Sequence, residues 1–423
     1  MTGELIVLLG DNIVGLVHQN KQGRLKFTYD NAWREAEGAY PLSLSMPLAA
    51  SEHGHAVIDA FIWGLLPDNE FVLGQWAKKF QVSARNAFAL ISNVGEDCAG
   101  AVQFVRPELL EEVRTADGGA VEWIDDDEIA RRLTALRGDH SAWRRPQDTG
   151  QFSLAGAQPK TALLLDAGKW GVPSGRIPTT HILKPPTGEF DGHAENEHFC
   201  LSLARRLDLP TASSSVMRFD DEIAIVIERY DRQKTNKGVI RVHQEDVCQA
   251  LGLPPTKKYQ NEGGPGVAEL IELLGETSTA ADEDINTVIK AMALNWIIAG
   301  TDAHAKNYSV LIGAAGRARL APLYDIASAL PYDDFDFQKL KLAMKIGGEY
   351  RIRDVRKRQW EKFAQTLKLS PDRVLTLVSE IVTETSAATE AIRDDIRQEG
   401  LDHPIIDRMS NAIIERSKTC LRP

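Results

Sequence analysis

The chain has 423 residues, 43% of them hydrophobic, 26% charged and 7% aromatic, with 32 Gly and 19 Pro. That is an ordinary globular composition, long enough for two or three packed units, and it excludes a single small module, a disordered chain and a collagen-like one. Lys plus Arg number 49 against 60 Asp plus Glu, a formal net charge of −11, which excludes nucleic-acid binding as the main task while leaving room for a local basic patch on DNA held by a partner.

Cys98, Cys200, Cys248 and Cys420 are too scattered for a CxxC pair or a zinc set and suit a reducing compartment. No apolar run approaches the roughly 20 residues of a membrane-spanning helix. The opening Met-Thr-Gly-Glu-Leu-Ile-Val lacks the basic region and cleavage site of a signal peptide, so a cytoplasmic protein is expected. The ten histidines contain no HExxH, and His53 and His55, flanking a glycine, read as a surface loop.

In chain order, Leu5 to Leu9 and Ile13 to Val17 are apolar runs split by Gly10-Asp11-Asn12, a hairpin signal, and Leu25 to Tyr29 follows as a third strand. Leu42, Leu44, Met46 and Leu48 alternate with Ser and Pro, which predicts a half-buried edge strand. Trp63, Leu66 and the segment Phe71 to Phe80 read as helical, and Val102 to Val105 as a strand entered through Gly95-Glu96-Asp97-Cys98-Ala99-Gly100. Asp125 to Glu128 open a helix containing Ile129, Leu133 and Leu136, the acidic start complementing the helix dipole. Arg144 to Asp148 reads as a connector.

Strands are predicted at Thr161 to Leu165, His181 to Leu183, Ser215 to Phe219 and Ile223 to Glu228, with a helix over Glu195 to Leu207. From about 255 onward helical periodicity dominates. Asp282-Glu283-Asp284 opens a helix whose Ile285, Val288, Ile289, Met292 and Trp296 keep a buried-face spacing, and Trp360 to Leu367 and Val374 to Ile381 are helical again. Gly263 to Gly266 read as a flexible entry to a helix over Val267 to Leu274. Arg351, Arg353, Arg356, Lys357 and Arg358 read as a solvated basic face. No internal repeat is present. A β-rich lobe followed by a helical lobe is one organisation of a phosphotransferase, and composition alone leaves many others.

Four segments carry candidate chemistry. Asp302 followed five positions later by Asn307, in Thr301-Asp302-Ala303-His304-Ala305-Lys306-Asn307, has the spacing of a kinase catalytic loop, where the Asp accepts a hydroxyl proton and the Asn holds magnesium. Asp325, ending Leu320-Ala321-Pro322-Leu323-Tyr324, stands where a second magnesium ligand belongs, and His304 is placed to donate to a γ-phosphate. Ser153-Leu154-Ala155-Gly156-Ala157-Gln158-Pro159-Lys160, after Phe152, is a small-residue loop able to bring backbone N–H groups to phosphate oxygens. Pro159 and the strand that follows distinguish it from a Walker A loop, and by itself it is equally a hairpin. Lys184 ends an apolar strand where kinases contact the α and β phosphates, with Glu195 and Glu197 as available partners. Glu228, Arg229 and Tyr230 lie at a strand end where adenine would meet hinge backbone, with Tyr230 able to cover the ring.

Together with His-Gln-Glu-Asp at 243–246, Lys-Tyr at 258–259, Pro-Leu-Tyr-Asp at 322–325 and Gly-Glu-Asp-Cys-Ala-Gly-Ala at 95–101, these segments resemble HipA-type toxin kinases over most of the chain and in the same order. The resemblance implies an α+β, kinase-like two-lobed fold with a β-rich small lobe, an all-helical large lobe and an extra amino-terminal β-rich subdomain. The divisions it implies are 1–106, 107–250 and 251–423. It implies an ATP- and Mg²⁺-dependent serine/threonine protein kinase, the toxin of a type II toxin–antitoxin pair. Asp302 is then the general base, Asn307 and Asp325 bind magnesium, and Lys184, His304 and Ala155, Gly156, Ala157, Gln158 and Lys160 serve the phosphates. Glu228, Arg229, Tyr230 and Tyr324 complete the nucleotide site, and Ser153 is the serine whose autophosphorylation switches the enzyme off. The implied substrate is an aminoacyl-tRNA synthetase, typically the glutamyl enzyme, whose modification stalls translation and produces persistence. The implied partner is a HipB-type helix-turn-helix antitoxin that brings the pair to operator DNA. Pro159 departs from a position often acidic in the family. A small-molecule or lipid kinase and a catalytically silent corepressor are the competing readings.

Overall fold

A computed structural model describes residues 3–115, 119–142, 153–186, 190–236 and 238–420. The connector at Arg144 to Asp148 and Phe152 lie outside the described residues. The chain forms two compact units: Met1–Pro185 with Met217–Thr256 and Val310–Ala318, and Pro186–Val216 with Lys257–Ser309 and Arg319–Pro423.

In the first unit, strands Gly3–Leu9, Asn12–Gln19 and Leu25–Tyr29 form the predicted antiparallel meander, with Val102–Val105 pairing against the outer side of the first strand. Leu5, Val7, Leu9, Val14, Val17 and Phe27 share one core with the helices His55–Leu65, Glu70–Phe80 and Ala87–Val94. The predicted strand over 42–48 is not formed; this is a correction. Between Pro41 and Pro47 the chain makes a turn bridged at Ser43 and Met46. Its polar groups go elsewhere: Ser45 Oγ donates to Gln249 O at 2.9 Å and Leu44 N to Glu245 Oε1 at 2.7 Å. Leu42, Ser43 and Met46 are buried while Leu44 and Leu48 are only partly so, and burial here follows the turn and its side-chain bonds instead of a pleat.

A second, six-stranded sheet carries Val121–Ile124, Thr161–Asp166, Lys169–Pro173, His181–Lys184 and Glu222–Glu228, with Ser214–Phe219 at its edge. The helix Asp126–Gly138, capped by Asp125 accepting from Glu128 N, packs Ile129 and Leu133 against Leu163, Leu183 and Val226 of this sheet.

The second unit is mostly helical: His193–Arg206, Val267–Thr277, Ala281–Ile298, Lys357–Thr366, Pro371–Gln398 and Pro404–Ser417. Its core centres on Trp296 and Trp360, fully buried and edge-on at 5.8 Å, with Trp296 Nε1 donating to Ile352 O. One antiparallel pair, Lys341–Ile346 with Glu349–Arg351, is added to the helices the sequence predicts for this region. No helix among the described residues is long and apolar enough to cross a membrane.

Candidate active site

The first unit holds the candidate nucleotide segments. Strand His181–Lys184 lies between Thr161–Asp166 and Glu222–Glu228, antiparallel to both, with Thr161 opposite Leu183, Ile225 opposite Lys184 and Glu228 opposite His181. The end of the small-residue loop and Lys184 therefore share one end of the sheet. Glu228 lies three residues away along the strand, about 10 Å at the usual rise. Lys184 is buried.

Within the loop, Gly156 has φ +103°, a conformation that strains any side chain, and a Cβ there would stand 2.6 Å from Lys160 Nζ. Lys160 donates to Ala155 O at 2.9 Å, closing the turn on itself. A narrow pocket of about 30 Å³ opens between Ala157, Gln158, Lys160 and the side chains of Pro67, Val72 and Trp76. Ser153 is wholly buried, its Oγ donating to Leu65 O at 2.7 Å.

Arg229 is not placed as a nucleotide contact. Its N–H donates to Thr180 O and its carbonyl accepts from Arg232 N, so the backbone is committed to the sheet and turn. Its guanidinium enters a buried cluster, with Nε and Nη2 on Asp231 at 3.0 and 2.9 Å, Nη1 on Thr179 Oγ1 and Nη2 on Cys98 O. Tyr230 is half-buried, its hydroxyl donating to Gln244 Oε1. The sequence reading took the Glu-Arg-Tyr-Asp-Arg run for a hinge alone. Two of its Arg and its Asp are the interior ion pairs of this unit.

The second unit holds the candidate catalytic segments. Helix Ala281–Ile298 ends at Ala299 in the left-handed region, and Gly300 N donates back to Asn295 O at 2.8 Å, which turns the chain sharply into the loop. Asn307 Nδ2 donates to Asp302 O at 2.8 Å and His304 N to the same carbonyl at 2.8 Å. These bonds fix the Asp302 backbone while its side chain stays 66% exposed. Tyr259, missed as a site residue, donates its hydroxyl to Asp302 Oδ1 at 2.6 Å. That leaves Oδ2 for an incoming hydroxyl.

Burial holds the His304 imidazole below its ordinary pKa, against the opposing pull of Asp302 at 3.9 Å. The ring is therefore neutral at pH 7, packed edge-on to Tyr259 at 4.9 Å, and its Nδ1 is buried without a hydrogen-bond partner. Tyr324 is held by Lys306 O at 2.6 Å and Ser309 Oγ at 2.7 Å, and Asp325 follows it at φ +57°.

Among the described residues no group of three or more His, Cys, Asp and Glu forms a metal cage. One Asn and one Asp oxygen suffice for Mg²⁺, which completes its shell with water and substrate phosphates. The Glu-Asn-Glu segment contributes through its centre. Asn196, fully buried, accepts from Ser328 N and donates to Ser328 O, both at 2.8 Å, three residues beyond Asp325. Glu195 and Glu197 belong to this unit and Lys184 to the first. The basic run is partly engaged: Arg353 reaches Gln338 and Arg356 begins the helix Lys357–Thr366.

Residues 152–389 match the HipA-like C-terminal domain, over half of the chain. The chain belongs to the HipA family. Residues 5–105 match the HipA N-terminal domain. This HipA-family chain is 35% identical, over 96% of its length and 96% of the relative's, to the putative kinase Y4mE of Sinorhizobium fredii. It is 29% identical, over 88% of its length and 85% of the relative's, to the serine/threonine-protein kinase toxin HipA of Shewanella oneidensis. A solved structure of HipA with HipB and operator DNA from Shewanella oneidensis aligns with a TM-score of 0.83 over 98% of this chain and 96% of that one, at 25% identity. The fold is thus the kinase-like, mixed α and β one.

Proposed function

We propose that this HipA-family protein is an ATP- and Mg²⁺-dependent serine/threonine protein kinase acting as the toxin of a toxin–antitoxin pair. The observation that carries the reading is the Asp302–Asn307 loop, in which one amide fixes the base's backbone and a phenol takes one oxygen of its carboxylate. ATP with Mg²⁺ supplies the phosphoryl group and neutralises its charge. Asp302 Oδ2 accepts the proton of the attacking serine or threonine hydroxyl. Asn307 and Asp325 offer hard oxygens to the cation, and the unpartnered His304 Nδ1 a polar contact for phosphate. Lys184 and the Ala155–Lys160 loop serve the phosphates, and Glu228 and Tyr230 the ring; for Arg229 the support is positional.

By family, the substrate is an aminoacyl-tRNA synthetase, typically the glutamyl enzyme, and the partner a HipB-type antitoxin. The partner fits a chain of charge −11, which would meet operator DNA mainly through it. The same reading makes 1–106, 107–250 and 251–423 the working parts and Ser153 the self-inactivating site. Intact mass before and after incubation with ATP and Mg²⁺ tests it in the wild type, Ser153→Ala and Asp302→Asn. One phosphate is expected on the wild type alone. Phosphate on Asp302→Asn, or none on a wild type that starts unmodified, would overturn the reading.

A further inference from the structure

The amino-terminal domain does more than extend the first unit. Both donors of Ser153 end on its carbonyls: Oγ on Leu65 O at 2.7 Å and N on Asp97 O at 3.0 Å. Further along the loop, Gly156 O accepts from Asp68 N at 3.2 Å, and Gly156 forms a parallel bridge with Pro67. The phosphate loop is therefore docked at two places on residues 65–68 and at one on Asp97.

Asp97 is itself immobilised. Its carboxylate accepts from Thr179 N at 3.0 Å, Thr179 Oγ1 at 2.7 Å, Arg232 at 2.8 Å, Arg241 at 3.0 Å and Arg229 at 3.3 Å. Asp231, the other carboxylate of the cluster, accepts from Gly100 N at 2.7 Å, and Cys98 O from Arg229 and Arg232. Residues 97–100 thus tie together the strand end after Glu228 and, through the Asp97 carbonyl, the loop that begins at Ser153.

We propose that Asp97 is a positioning residue for nucleotide binding, and that the amino-terminal domain is a latch holding the phosphate loop in its binding position. Ser153 has no exposed surface, and both of its donors are spent on this domain, which makes it the firmest point at which the loop is held. The geometry stands by itself; its meaning for ATP rests on the kinase reading.

Asp97→Asn keeps the shape and removes the charge that three guanidiniums share. Hydrogen–deuterium exchange on the full chain, with direct titration of Mg·ATP, reads the result. Exchange at 153–160 and 65–69 should rise by tenfold or more while the second unit stays unchanged, and ATP should bind about tenfold more weakly. A folded Asp97→Asn with exchange and affinity within twofold of wild type overturns the proposal. Should that variant not fold, Ser153→Glu serves. The latch requires raised exchange at 65–69 and 94–101, where nothing was substituted, and unchanged exchange there refutes it. A wild type that binds no ATP sinks the kinase reading instead, and the exchange comparison still decides whether the latch exists.

Discussion

Truncating Asn196 to alanine tests how the second unit positions Asp325. The side chain is fully buried and makes a two-way bond with the backbone of Ser328, itself buried. Alanine leaves one N–H and one C=O without partners. At about 1–3 kcal/mol for each buried orphan, the loss is roughly 2–6 kcal/mol, tempered if water enters the space. Asn196→Asp keeps the acceptor for Ser328 N but sets a carboxylate oxygen against Ser328 O, so it should be no milder. Urea unfolding should show a lower midpoint with an unchanged slope, because the surface exposed on unfolding is the same. The half-saturating Mg²⁺ concentration for phosphate transfer should rise, since Ser328 anchors the chain three residues beyond Asp325. A stability change under about 0.5 kcal/mol would refute the claim that the Glu-Asn-Glu segment acts through its central amide.

Tyr259→Phe removes the phenol from Asp302 but leaves the ring on His304. Because Asp302 is largely exposed, turnover should fall only about threefold to tenfold, with ATP affinity unchanged, as read by steady-state kinetics. Asp302→Asn should lose about 10²–10⁴ in rate while still binding nucleotide by titration. Gly300→Ala places a Cβ 2.2 Å from Asn295 Oδ1 and should cost about 1–3 kcal/mol in thermal unfolding.

Stability of the first unit should follow pH through two buried groups. Burial drops the His243 pKa to about 4, so its contribution, roughly 3 kcal/mol, is full above pH 6.5 and lost as pH falls through 4. Burial raises Glu245 to about 8, so its contribution is full below pH 4.5 and lost as pH climbs to 8. Glu245→Gln should flatten the alkaline limb between pH 5 and 8 in urea titrations. An unchanged limb would contradict the assignment.

Much of this protein was legible in its sequence. The meander came from apolar runs broken at Gly10, and the helices from 3.6-residue periodicity and acidic starts at Asp125 and Asp282; the five-residue step between Asp302 and Asn307 marked the loop on which the proposed function rests. These signals are local, so neighbouring residues suffice to state them. Residues 41–48 misled because apolar alternation there does not track burial: Ser43 is buried and Leu44 only partly, since a turn held by Glu245 and Gln249 sets which side chains go inside. Asn196, Tyr259 and Asp97 were invisible as working residues for a related reason. Each acts on a partner 43 or more positions away, Asp302 for Tyr259, Ser328 for Asn196 and Arg229 for Asp97. Sequence alone determined the local strand and helix patterns and the resemblance to the HipA family. Only the tertiary structure decided that Arg229 faces a buried carboxylate cluster and that Ser153 is held on the amino-terminal domain, because hydrogen-bond partners far apart in the chain are chosen by packing.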